Sequence, residues 1–288
     1  METYTLTLDQ DQIDQLLNTY PHSKDPKNSY ILAHVYCDDA TINIYTSKKT
    51  VIQGKNAQSY YQSLNKEKEN TIILPQAGSD EVGTGDFFGP IVVCAVYIDK
   101  DIYQKIKAYH LDDSKKINDE YILKNTPYIL KEVKYSLLIL DNKKYNQVIA
   151  KYNMNAIKAI LHNQAYVHLQ NKGVTLPETT VIDQFCIESS YYKYLIGQPK
   201  IVKGIKFQTK AESSFVAVAT ASMIARYTFL TYMQEMNKSY GISFPKGASD
   251  QCEKTAKEFI DKYGKEKLAE VSKLNFKNYE RILQENIF

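Results

Sequence analysis

The chain has 288 residues, 43% of them hydrophobic and 24% charged, with a net charge of +3 at neutral pH. Such a chain can bury a sizeable core, which excludes a peptide hormone or a disordered tail and suits one large domain with a smaller attachment. Four scattered cysteines (Cys37, Cys94, Cys186, Cys252) form no Cys-x-x-Cys pair, which argues against a disulfide scaffold or zinc ribbon and fits a reducing cytoplasm. The apolar run from Ile91 to Ile98 is too short to cross a bilayer, and the start, METYTLTLDQ, lacks the basic and apolar regions of a secretory signal.

Residues 1–70 hold seven Lys against nine Asp or Glu, so this stretch is net negative and the remainder is more basic. It reads as strand, helix, strands, helix. Thr3 to Leu8 alternates as a strand; Ile13, Leu16 and Leu17 mark a helix from Asp9 to Tyr20. Tyr30 to Cys37 and Thr41 to Tyr45 are strands about the Asp38-Asp39 turn, and Val51-Ile52 follows a polar turn from Thr46 to Thr50. Ala57 to Leu64 is helical, and the charged segment from Asn65 to Asn70 is the linker. Domains of 1–65 and 66–288 follow.

Beyond the linker, strands are expected at Ile72–Ser79, Pro90–Ile98, Tyr135–Leu140, Thr179–Asp183 and Lys200–Phe207. Helices are expected at about 153–171 and 211–236, with charged helices to the end. This alternation predicts an α/β domain with a mixed sheet flanked by helices.

Three segments carry candidate chemistry. Asp80-Glu81 ends an apolar strand beside the Gly83-Thr84-Gly85 turn; the alternative is a solvated acidic turn. A nucleotide loop is the weakest reading, because neither GxGxxG nor GxxxxGK is present. Asp183 ends a β-branched strand, where turn formers are also common. Glu212 opens an apolar helix, where the helix dipole alone would favour it. Together they supply four hard oxygen ligands, suited to Mg2+ or Mn2+ rather than zinc. The five histidines form no HxxxH or HExxH pair and read as isolated surface or core residues.

The motif Asp80-Glu81-Val82-Gly83-Thr84-Gly85, with Leu111-Asp112-Asp113-Ser114-Lys115-Lys116, Asp183 and Lys210-Ala211-Glu212-Ser213, resembles the type 2 ribonucleases H. Thr84 between the glycines and Glu212 as fourth acid are similar to the ribonuclease HIII pattern rather than that of ribonuclease HII. The resemblance spans the second domain nearly end to end and implies a ribonuclease H-like fold. It also implies a small α+β amino-terminal domain like half of a TATA-binding protein, which binds the hybrid.

The implied activity is hydrolysis of the RNA strand of RNA–DNA hybrids, giving 5′-phosphate and 3′-hydroxyl ends, with Mg2+ or Mn2+, two ions with substrate bound. Asp80, Glu81, Asp183 and Glu212 would be the catalytic and metal-binding residues. Gly83, Thr84 and Gly85 would face the hybrid minor groove, and Ser114 and Lys115 its phosphates. Lys48, Lys49, Gln53, Lys55 and Asn56, with no acid nearby in sequence, are the binding residues expected in the first domain. Lys200, Lys203, Lys206, Lys210 and Lys246 are further basic candidates. The partner is an RNA–DNA hybrid, with no membrane, and the default state is a monomer in the cytoplasm. The alternatives are ribonuclease HII-like nicking at single embedded ribonucleotides, and a non-catalytic nucleic-acid binding protein.

Overall fold

The structure is a computed structural model that describes residues 2–25, 28–64, 72–109, 111 and 117–285. The chain divides into two compact units, 1–71 and 72–288.

The first unit comprises β1 (Glu2–Thr7), α1 (Gln10–Thr19), β2 (His22–Ser23), β3 (Ile31–Cys37), β4 (Ala40–Tyr45), β5 (Lys49–Gly54) and α2 (Ala57–Leu64). Its sheet runs β1-β5-β4-β3-β2, all neighbours antiparallel. Alternation sends Ala33, Val35, Ile42, Ile44 and Ile52 inward, into one core with Ile13 and Leu16 of α1 and Ala57 of α2. Asp9 and Gln12 close a capping box at the start of α1, which satisfies otherwise unpaired N–H groups. Tyr61 of α2 stacks on Tyr4 of β1 at 4.9 Å. The expected polar turn is shorter than anticipated: Lys48 takes a left-handed conformation (φ 63°), so β5 already begins at Lys49.

The opposite sheet face is polar. Register aligns Thr3, Gln53, Thr41 and Tyr36 in one row across β1, β5, β4 and β3, and Thr5, Val51, Asn43 and His34 in the next. These side chains are exposed or half-buried.

The second unit is built on β6 (Gln76–Val82), β7 (Ile91–Ile98), β8 (Lys134–Leu140), β9 (Thr179–Asp183) and β10 (Lys206–Gln208). The order is β10-β9-β6-β7-β8, with β6, β9 and β10 parallel and β7 antiparallel to both neighbours. Helices α3 (Lys100–Ile106), α4 (Asp119–Glu132), α5 (Asn142–Ile149), α6 (Met154–Asn171), α7 (Glu188–Tyr194), α8 (Val216–Tyr240), α9 (Asp250–Tyr263) and α10 (Lys277–Glu285) complete it. Strand β7 is apolar throughout because both faces are covered. Val92, Cys94 and Val96 pack in the core that contains α8, and Ile91, Val93 and Ala95 in the core that contains α6.

Three expectations need correction. Strand β6 does not stop before the acids: Asp80 pairs with Cys94 and Glu81 with Val93, so both lie within it. The expected strand from Lys200 to Phe207 is reduced to β10, because Asn163 takes the Lys200 carbonyl and the Val202 N–H in place of a sheet partner. Glu212 does not open the long helix. Residues Ala211–Ser213 form a separate 3-10 turn after left-handed Lys210, and extended Phe215 restarts the chain as α8.

Gly78 sets the depth of α8. A Cβ there would lie 2.3 Å from the Val218 nitrogen, so only glycine admits the helix this close to β6. Among the described residues, no helix is long and apolar enough to cross a membrane.

Candidate active site

Strand periodicity decides which carboxylates meet. Gly78 and Asp80 face α8, while Ser79 and Glu81 face α6. The pairing of Ser79 with Ile182 places Asp80 and Asp183 one residue further along on adjacent parallel strands. Asp183 Oδ1 accepts the Ala211 N–H at 3.0 Å, which brings the turn carrying Glu212 to the end of β9. Glu212 is 4% exposed.

Removal from water, followed by the charge of Glu81, pushes the Asp80 carboxyl up to about 7; Asp183 adds to this, against a hydrogen bond from Ser222 on α8. The Glu81 N–H also donates to Asp80 Oδ1 at 2.7 Å. Glu81 moves the other way. Burial opposes its charge, but the hydrogen bond and charge of His162, and then Lys158, outweigh burial and hold its carboxyl below the usual range. Lys158 Nζ contacts Glu81 Oε1, and His162 Nε2 donates to Oε2 at 2.9 Å. His162 Nδ1 shares a hydrogen with Ser79 Oγ at 2.7 Å. His162 is therefore no isolated core histidine.

The donor set fits a hard divalent cation. It is all carboxylate oxygen, and after burial the like charges of Glu81 and Asp183 add to the rise at Asp80, a repulsion that a cation would offset. Among the described residues, no three Asp, Glu, His or Cys side chains are placed to share one ion. The like-charged oxygens turn to protein donors instead: Ser222, the Ala211 N–H, Lys158 and His162.

The glycine turn follows directly. A Cβ at Gly83 (φ 92°) would lie 2.1 Å from the Pro90 carbonyl, whereas one at Gly85 meets nothing within 4 Å. Thr84 is half-buried and Gly85 exposed. Lys273 Nζ holds the segment that follows this turn, donating to the carbonyls of Asp86 (2.8 Å) and Gly89 (2.5 Å).

Ser114 and Lys115 lie outside the described residues. Lys49 and Gln53 project from the polar face of β5, with Gln53 Nε2 3.5 Å from Thr3 Oγ1; Lys48 stands in the turn before β5, and Lys55 and Asn56 in the turn after it. The Asp38-Asp39 turn lies beside this second turn, since the Asp39 carbonyl accepts the Asn56 N–H at 3.4 Å. Lys206 pairs with Glu178, and Lys246 is held by Asp119, which also binds Arg226.

Sequence reasoning misses Ser222, Lys158, His162 and Lys273. The i, i+4 spacing of Lys158 and His162 on one helix face is the one local signal available.

A helix-flanked mixed sheet with Asp80 and Asp183 side by side on two adjacent parallel strands is the arrangement of a ribonuclease H-type nuclease, and the comparisons bear this out. A family model described as Ribonuclease HII matches residues 77–279, and one described as a domain of unknown function (DUF3378) matches residues 3–72. Ribonuclease HIII of Bacillus cereus is 38% identical, over 94% of this chain and 95% of its own. The crystal structure of Bst-RNase HIII in complex with Mn2+ superposes with a TM-score of 0.74 at 34% identity, covering 99% of both chains. Aquifex aeolicus RNase H3, 24% identical with a TM-score of 0.57 over 94% of this chain and 99% of its own, shares the fold. The chain belongs to the ribonuclease HIII family. It is an enzyme, so the non-catalytic alternative falls away.

Proposed function

We infer that this enzyme hydrolyses the RNA strand of RNA–DNA hybrids with Mg2+ or Mn2+, leaving 5′-phosphate and 3′-hydroxyl ends. The observation that carries the reading is the placement of Asp80 and Asp183 side by side on adjacent parallel strands, with the turn carrying Glu212 tied to Asp183, in a chain of the ribonuclease HIII family. Asp80, Asp183 and Glu212 are the residues that would hold cations on the α8 side of the sheet, with Glu81 contributing from the α6 side. Two cations held there would supply an activated water and neutralisation of the charge that develops on the leaving 3′ oxygen.

The chain's own residues position the substrate. The Gly83-Thr84-Gly85 turn offers backbone groups and a hydroxyl to the minor groove, where the 2′-hydroxyl marks RNA. Ser114 and Lys115 serve the phosphates. Residues 1–65 act as a hybrid-binding domain like half of a TATA-binding protein. Lys48, Lys49, Gln53, Lys55 and Asn56, joined by Thr3, Thr41 and Asn43 on the same polar face, contact the duplex. The enzyme acts as a monomer in the cytoplasm, in keeping with four free cysteines.

The test compares a long hybrid with a duplex bearing one ribonucleotide, in Mg2+, in Mn2+ and in EDTA. The long hybrid is expected to be cut well, the single site poorly, and neither in EDTA. Asp183→Asn should lower kcat on the order of 100-fold or more while hybrid KM changes little. Near-normal turnover of that variant in Mg2+ overturns the site assignment, and preferred cleavage at the single ribonucleotide supports the ribonuclease HII-like alternative.

A further inference from the structure

Helix α6 turns one face toward the ends of two strands. Lys158 is 9% exposed and His162 fully buried, and each gives one donor to one oxygen of Glu81. Two donors on separate oxygens fix the position of a carboxylate and the rotation of its plane, yet leave each oxygen a further lone pair. The same two side chains grip Phe185, just beyond Asp183. Lys158 Nζ lies 4.2 Å from the ring centroid, and the His162 ring stacks on it at 5.4 Å and 29°. Asn163, next on the helix, holds residues 200 and 202. Filling this space would require only apolar side chains. Burying an ammonium and an imidazole costs solvation, so their placement is explained by what they hold.

We propose that Lys158 and His162 are positioning residues of the hydrolytic reaction, holding the Glu81 carboxylate in one orientation, and that the Lys158 charge lowers the affinity of the site for divalent cations. The proposal rests on the reading of Glu81 as an active-site acid. Its physical basis is that carboxylates bind cations more tightly as their net charge grows, while catalysis needs them fixed in direction as well as charged. One ammonium serves both needs, orienting the acid and opposing the cation.

The two effects have opposite signs, which separates positioning from simple support of the fold. Lys158→Met keeps most of the stem and removes the charge. It is expected to lower kcat about tenfold or more while hybrid KM stays within about twofold. Mn2+ titrated calorimetrically into the hybrid-free enzyme should bind at least about threefold more tightly than to wild type. Lys158→Arg should recover most of kcat and restore wild-type Mn2+ affinity. His162→Phe, which preserves the stack on Phe185, should lower kcat by a similar factor.

A Lys158→Met kcat within about twofold of wild type overturns the proposal. So does a fall in kcat accompanied by weaker Mn2+ binding and a lower Tm, the pattern of a damaged fold. Glu81→Gln keeps the two failures apart. If Glu81→Gln is inactive while Lys158→Met is fully active, only the positioning role is overturned; if Glu81→Gln turns over normally, the reading of Glu81 fails as well.

Discussion

Lys273 shows how a single side chain serves the site without touching it. Burial lowers its ammonium from 10.5 to about 7, against the pull of the Asp86 charge. It donates to two carbonyls, those of Asp86 and Gly89, in the segment that directly follows the glycine motif. In the unfolded chain this lysine stays protonated throughout the range in which the folded one has released its proton. Between about 7 and 10 the unfolded state therefore binds more protons, and stability rises with pH; below about 7 the full cost of burying the charge is felt. Urea denaturation at pH 7 and pH 9 measures this. Wild type should gain about 2 kcal/mol relative to Lys273→Met across that interval, and a constant difference between the two proteins would show that Lys273 keeps its proton when buried.

At the scale of elements, the packing of β6 against α8 governs the geometry. The helix carries Ser222 to Asp80, and it reaches that strand because Gly78 has no side chain. Gly78→Ala must displace the α8 backbone, because the nearest atoms are those of Val218 and Ala217 rather than a flexible side-chain tip. The expected outcome is a loss of about 3 kcal/mol in a denaturant melt, with kcat falling as Ser222 moves from Asp80. The elements legible in the sequence share a cause. Thr179–Asp183 and Ala57–Leu64 emerge with the expected bounds because turn-forming or charged residues punctuate them. The end of strand β6 is misleading because its acids look like a terminus, although β7 continues to pair with them. Helix α7, with the sequence ESSYYKY, has little apolar periodicity and gives no clear helical signal. In the site, Asp80 and Asp183 can be read because each follows a hydrophobic run. The partners of Glu81 cannot, since the meeting of a strand with a helix far along the chain leaves no local pattern.

Across the whole molecule, the modest net charge conceals where its basic groups stand. Lys48, Lys49 and Lys55 lie at or beside β5, whose polar face continues through the threonines of β1 and β4. If these lysines neutralise phosphates, each adds to the salt dependence of binding through the counterions it releases. Replacing all three with alanine should reduce the slope of log affinity against log salt by about 1 for each phosphate left without its lysine, in fluorescence anisotropy with a labelled hybrid. An unchanged slope would place the duplex on another surface.

Gly83 and Gly85 are identical letters two positions apart, yet they answer to different demands. At Gly83 the polypeptide's own Pro90 carbonyl forbids any substituent, so the requirement is internal and would persist in a protein that had become inactive. At Gly85 nothing within the molecule stands in the way. If the proposed hybrid passes close to this turn, Gly85 answers to that approach, while Gly83 answers to the fold.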